Sequence, residues 1–187
     1  MLTKTSILLV EDNDDDAALI VRVLSRFQRI EFTVERATTL RMAVGRLDER
    51  RFDAVLVDLG LPDSDGLPSF SSIHTHANGA AVIVLTGDDR EELGLRAVEL
   101  GAQEYIVKAE RAWQSLPISI AYACERSRRQ EEVDELTHAL ANAVDAIATL
   151  DASGACVSVN PAFKSVLGYA PEEVVRTSLL DLSLIHI

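Results

Sequence analysis

"ILLVEDNDDD", residues 7–16, joins a four-residue apolar run to five acids within six positions. Ile7–Val10 has the composition of a short buried strand. Acids this close repel: two unit charges about 4 Å apart cost about 4 kcal/mol at an effective dielectric of 20. A cation held at the strand end would offset that cost for Glu11 and Asp12. Asn13 or Asp14 is suited to cap a following helix, and the acids up to Asp16 sit favourably against its positive end. The stretch therefore reads as strand, acidic turn, helix.

That unit recurs along the chain. "SILLVE", "EFTVER", "FDAVLVD", "AAVIVLTG" and "QEYIVK" are strand-like runs bounded by polar residues or Gly. Between them, "DAALIVRVLSRF" carries a helical stripe at Ile20, Val23, Leu24 and Phe27. "TLRMAVGRLDE" and "REELGLRAVELG" have similar spacing, the latter stopping at Gly101, a suitable helix-ending glycine. Strand and helix alternating five times predict an α/β fold with a parallel sheet covered on both faces. Such sheets bind ligands at the carboxyl ends of their strands. Those ends are Glu11 and Asp12, Asp58, Thr86 and Lys108. One Asp after a strand is most often a turn residue or cap. Five polar residues in one register predict a convergent site.

Composition narrows the class. The 187 residues are 48% apolar and carry a net charge of −12. A phosphate backbone needs basic surface, so nucleic acid is disfavoured as a partner. Cys124 and Cys156 have no metal-ligand spacing and suit a reducing compartment. The N-terminus lacks a secretory apolar region and no run reaches membrane-spanning length. The expectation is a cytoplasmic protein with no membrane partner.

"ILLVEDN", "VLVDLGLPDSDG", "VIVLTG" and "GAQEYIVK" closely resemble the receiver domain of two-component response regulators, over roughly residues 4–128. The resemblance implies a flavodoxin-like (βα)5 fold with strand order 2-1-3-4-5. It implies Asp58 as phosphoacceptor, charged by a phosphohistidine on a histidine kinase or phosphotransfer protein. It further implies Mg²⁺ held by Asp12, Asp58 and the backbone carbonyl of Gly60, with Glu11 acting through water. Lys108 would pair with Asp58 and then with the phosphoryl group, and Thr86 would donate its hydroxyl to a phosphoryl oxygen. Tyr105 occupies the place of the aromatic that turns inward in receivers; an ordinary half-buried strand tyrosine is the alternative. Ala109 stands where many receivers have proline. Gly60 and Asp88 take the positions that tune phosphate lifetime.

Beyond the receiver, "PISIAYACERSRRQEEVDELTHALANAVDAI" reads as a long helix with Pro117 in its first turn. Val133, Leu136, Leu140, Ala143 and Ile147 follow a 3-4-3-4 spacing. That is either the seam of a parallel homodimer or a face packed on the neighbouring domain. His138 lacks the surroundings of a kinase phosphoacceptor, and His74 and His76 have no further ligand beside them. "AIATLDASGACVSVNPAFKSVLGYAPEEVVRTSLLDL" offers two strands about an Asp-x-x-Gly turn, then a helix with Asn160 as cap and Pro161 first. It resembles the opening of a PAS sensory domain, to which no cofactor is assigned. "LSLIHI", residues 182–187, resembles a translated transposon end used in library preparation and is expected to be non-native.

The resulting organisation is receiver 1–128, helical linker 129–145, N-terminal part of a PAS domain 146–181 and tail 182–187. The function expected is a phosphorelay switch with only the receiver's self-catalysed phosphoryl acceptance and hydrolysis. Two alternatives stay open. One is the regulatory part of a histidine kinase or cyclic-di-GMP enzyme; the other is a binding module independent of phosphorylation.

Overall fold

The computed structural model describes residues 3–87, 91–175 and 177, so Asp88 and the 182–187 tail lie outside the described residues. The chain divides into two compact units, Met1–Arg129 and Gln130–Ile187.

In the first unit, β1 (Thr3–Val10), β2 (Ile30–Ala37), β3 (Ala54–Asp58), β6 (Ala81–Thr86) and β7 (Glu104–Val107) form one parallel sheet. Their order is β2-β1-β3-β6-β7. This is the 2-1-3-4-5 order anticipated for the five sheet strands. The offset in labels comes from a hairpin, β4 (Gly60–Leu61) and β5 (Ser64–Asp65), that follows Asp58. Two-residue strands leave no periodicity to read, so the sequence did not announce it.

Side-chain alternation sorts the sheet into two faces. Leu8, Val10, Val55, Val57, Val82 and Val84 pack with α2 (Leu40–Glu49), α3 (Leu67–His76) and α4 (Glu91–Glu99) through Ala43, Leu47, Phe70, Ile73 and Ala97. Ile7, Leu9, Leu56, Ile83 and Leu85 pack with α1 (Asp14–Ser25) and the start of α5 (Glu110–Asn142) through Ile20, Leu24, Trp113 and Leu116. Each side chain of this size contributes about 1.5–3 kcal/mol when fully buried. The winding reverses between β1 and β3, leaving a crevice at their carboxyl ends.

Local signals behave mostly as read. Asn13 caps α1, its Oδ1 accepting from the N–H groups of Asp15 and Asp16 at 2.8 and 3.2 Å. Gly101 follows α4 with φ +111°. Thr39 caps α2, and Asp63 in the β4–β5 turn accepts from the N–H of Leu40 and Arg41 at 2.8 and 3.0 Å.

Three expectations need correction. α5 begins at Glu110, so Pro117 lies inside the helix rather than in its first turn. Lacking an N–H, it cannot donate to the carbonyl of Trp113 one turn back. α5 also ends at Asn142, leaving Ala143 and Ile147 beyond it; of the proposed seam only Val133, Leu136 and Leu140 are helical. Asn160 does not cap its helix with its side chain. Its Oδ1 accepts from the Ile147 N–H at 2.8 Å, and its Nδ2 donates to the carbonyls of Leu140 and Asp145 at 3.1 and 2.9 Å. The Leu140 carbonyl lies in the last turn of α5, where carbonyls lack their usual intrahelical donor, and Asn160 supplies one.

In the second unit, β8 (Ala148–Leu150) and β9 (Cys156–Val159) pair antiparallel about the Asp151–Gly154 turn. They are followed by α6 (Ala162–Leu167) and α7 (Pro171–Val174). Its core among the described residues is Cys156, Phe163 and Val174, backed by Ala146, Ala148, Val159 and Tyr169. No described helix is long and apolar enough to cross a membrane.

Candidate functional site

The acids that open the site owe their position to the β1–β2 ladder. Parallel pairing runs to Val10↔Ala37, and the Glu11 N–H continues it one step by donating to the Ala37 carbonyl at 3.0 Å. Glu11 is therefore fully buried, while Asp12 turns into solvent. β3 ends on Asp58, one of whose oxygens accepts the Gly60 N–H at 3.1 Å. β6 ends on Thr86, whose carbonyl accepts the Lys108 N–H at 2.7 Å just past β7.

The Lys108 ammonium binds the crevice together. It donates to Glu11 Oε2 at 2.7 Å, Asp58 Oδ2 at 2.8 Å and Asp16 Oδ2 at 2.9 Å. Burial acts to lower its pKa, but the hydrogen bonds to Asp58, Glu11 and Asp16 outweigh it and hold Lys108 above the ordinary lysine value. Glu11 shows the converse. Burial raises its carboxyl above the usual range, and the Lys108 contact opposes that rise without cancelling it.

Glu11, Asp12 and Asp58 each offer a carboxylate oxygen, all within 4.8 Å of one another. They form the one such cluster among the described residues. A purely oxygen donor set with an exposed side fits a hard divalent cation that keeps part of its water. Beside it, the buried Thr86 hydroxyl oxygen has no hydrogen-bond partner. A buried hydroxyl left unmatched carries a desolvation cost of about 1–3 kcal/mol.

Tyr105 pairs with Val84 in the β6–β7 ladder and packs half-buried against the α2–α3–α4 face. Thr86 belongs to that same face by alternation along β6. The Tyr105 ring lies on Gly94 of α4 so closely that a Cβ there would come within 2.6 Å of Cδ2.

Of the residues expected at the site, Glu11, Asp12, Asp58 and Lys108 converge, and Thr86 and Gly60 adjoin them through the backbone. His74 and His76 stay outside. His76 bonds the Ser72 carbonyl through Nδ1 at 2.8 Å, and His74 lies against Phe70. Two residues were missed by the sequence reading. Asp16 does more than face the helix end, because the first turn of α1 carries it back to Lys108. Arg36 reaches the acidic turn from β2, and its only sequence signal is its place at a strand end.

A family profile described as the response regulator receiver domain matches residues 7–115. The chain belongs to that family. A second profile, the PAS fold, matches residues 134–185. The transcriptional regulatory protein BasR of Escherichia coli (strain K12) is 33% identical over 102 residues, 54% of this chain and 45% of BasR. The acid tolerance regulatory protein ActR of Rhizobium meliloti (strain 1021) is 31% identical over 121 residues, 65% of this chain and 61% of ActR. The chain thus spans less than two thirds of the length of either relative. Among solved structures, the signal receiver domain of an HD domain-containing protein from Pseudomonas fluorescens Pf-5 is 25% identical with a TM-score of 0.61. That match covers 71% of this chain and 95% of the other. The receiver's five-stranded parallel sheet and acidic crevice therefore stand on family, fold and geometry together.

Proposed function

We propose that this receiver is a phosphorelay switch in which Asp58 accepts a phosphoryl group from a phosphohistidine on a histidine kinase or phosphotransfer protein. The observation that carries the reading is the Lys108 ammonium joined at once to Glu11 and Asp58, with Asp12 in the same cluster. An Asp58 carboxylate oxygen forms the new P–O bond as the donor's P–N bond breaks, and the imidazole leaves on the partner. Mg²⁺, held by Asp12, Asp58, the Gly60 carbonyl and, through water, Glu11, would neutralise charge on the transferring oxygens. Lys108 already touches Asp58, so it has only to follow the charge outward onto the phosphoryl group. The unpartnered Thr86 hydroxyl donates to one phosphoryl oxygen. Tyr105, on the same face of the sheet, responds by leaving its place on Gly94, which shifts the population of the surface formed by α4, β7 and the start of α5.

Around this switch we assign residues 1–128 to the receiver, 129–145 to a linker and 146–181 to the opening portion of a PAS domain, in a cytoplasmic setting. Val133, Leu136 and Leu140 are each at least half exposed and form the strip for homodimerisation. Leu136→Glu is expected to shift the sedimentation coefficient toward monomer.

The phosphoryl reading is tested by titrating beryllofluoride, a phosphoryl mimic, in the presence of Mg²⁺ and following heat. One site is expected, lost in Asp58→Asn and lost without Mg²⁺. Binding that survives Asp58→Asn would place the acceptor elsewhere.

A further inference from the structure

Arg36 directs its guanidinium at three residues of the acidic turn, Glu11, Asp12 and Asp14. Nε donates to the Glu11 carbonyl at 2.8 Å, Nη2 to the Asp12 carbonyl at 2.8 Å and Nη1 to Asp14 Oδ1 at 2.6 Å. The register explains the reach. Arg36 pairs with Leu9, so its side chain starts two residues before the turn on the neighbouring strand. Beyond Glu11 the β1–β2 ladder ends, and by Asn13 the cap of α1 has begun. Arg36 covers the interval between those two supports.

We infer that Arg36 is a positioning residue for divalent-cation binding, its planar fork fixing the Glu11 and Asp12 peptides so that their carboxylates stay turned toward Asp58. This rests on the reading of Glu11, Asp12 and Asp58 as a cation site. The Asp14 contact is solvent-exposed and contributes little by itself, so the two carbonyl contacts carry the effect. A lysine could supply the charge but not two N–H groups in one plane. Charge and clamp also act in opposite directions. A fixed cation beside an acidic site repels a second cation, so a purely electrostatic Arg36 would weaken Mg²⁺ binding and its removal would tighten it. A clamp strengthens binding, and its removal weakens it.

The test is calorimetric Mg²⁺ titration of the full chain as wild type, Arg36→Met and Arg36→Lys, with thermal melts recorded without metal. Both variants are expected to bind Mg²⁺ about tenfold more weakly, the scale on which residues behind a metal's ligands act. Wild-type affinity in Arg36→Lys would show that the planar fork is not needed, and tighter binding by Arg36→Met would show charge rather than clamping; either result overturns the inference. So would a lowered melting temperature with unchanged Mg²⁺ affinity, which marks a merely structural strap. Should neither variant fold, hydrogen exchange of the wild-type Arg36 Nε–H, which the Glu11 carbonyl accepts, decides: slower exchange on adding Mg²⁺ supports the clamp, and exchange unchanged by Mg²⁺ overturns it. Wild-type protein that takes up no Mg²⁺ overturns the cation-site reading itself, and the clamp with it.

Discussion

Two short apolar strands meet different fates in this chain. Ile7–Val10 of β1 is wholly buried, while Val157 in β9 and Leu150 in β8 keep 53% and 41% of their surface in solvent. Valine and leucine behave alike in both places; what differs is the cover. The parallel sheet has helices against both faces, so the apolar side chains of its inner strands are covered on either side. The β8–β9 hairpin packs one face on a small described core and leaves the other open. The two units also differ in how they bury polarity. The receiver holds a buried carboxylate, Glu11, against an ammonium, whereas the second unit buries a neutral amide, Asn160, satisfied by three backbone groups. The first arrangement stores charge that a ligand can redistribute. The second fixes a loop.

The contrast can be broken most forcefully in the core. Leu56→Ala, in the centre of β3, is expected to lower receiver stability by about 4 kcal/mol through transfer and cavity losses. Val157→Ala should stay within about 0.5 kcal/mol in the same denaturant melts. Equal losses would erase the distinction drawn from burial.

The polar half of the comparison is sharpened by Lys108→Met, which strands Glu11 without its cation at a cost of about 3 kcal/mol when ionised. Glu11 has a folded pKa above its unfolded one, so its charge costs stability as pH rises from the unfolded value near 4.5 through the folded one. Losing Lys108 raises the folded value further. In metal-free urea melts the gap between variant and wild type should therefore be larger at pH 8 than at pH 5.

Among the receiver substitutions, Gly94→Ala has the smallest expected effect. Alanine gains roughly 1 kcal/mol of helix propensity, but its Cβ meets the Tyr105 ring. The net expectation is a loss of about 1 kcal/mol, from overpacking that costs 1–3 kcal/mol. A displaced ring resonance for Tyr105 by NMR checks it. A stabilised protein with an unmoved ring would show that the contact is soft.

Much of the receiver could be read before its structure was seen, because strands and helices there obey the two periods on which apolar patterning rests. Asp58, Thr86 and Lys108 were legible as strand-end residues for the same reason. What escaped has no period. The β4–β5 hairpin has two residues per strand, Pro117 depends on where α5 starts, and Asn160 serves the backbone near residue 147 rather than its own helix. Asp16 and Arg36 stayed hidden because their partners are 92 and 25 residues away in sequence. Only the fold makes such pairs neighbours.

The central claim, that Asp58 is a Mg²⁺-dependent phosphoryl acceptor, is tested most directly by intact-protein mass after incubation with acetyl phosphate. One phosphoryl addition is predicted, absent from Asp58→Asn and from metal-free protein. Addition that persists in Asp58→Asn, or none to wild-type protein shown to hold Mg²⁺ and sampled within seconds, would contradict it.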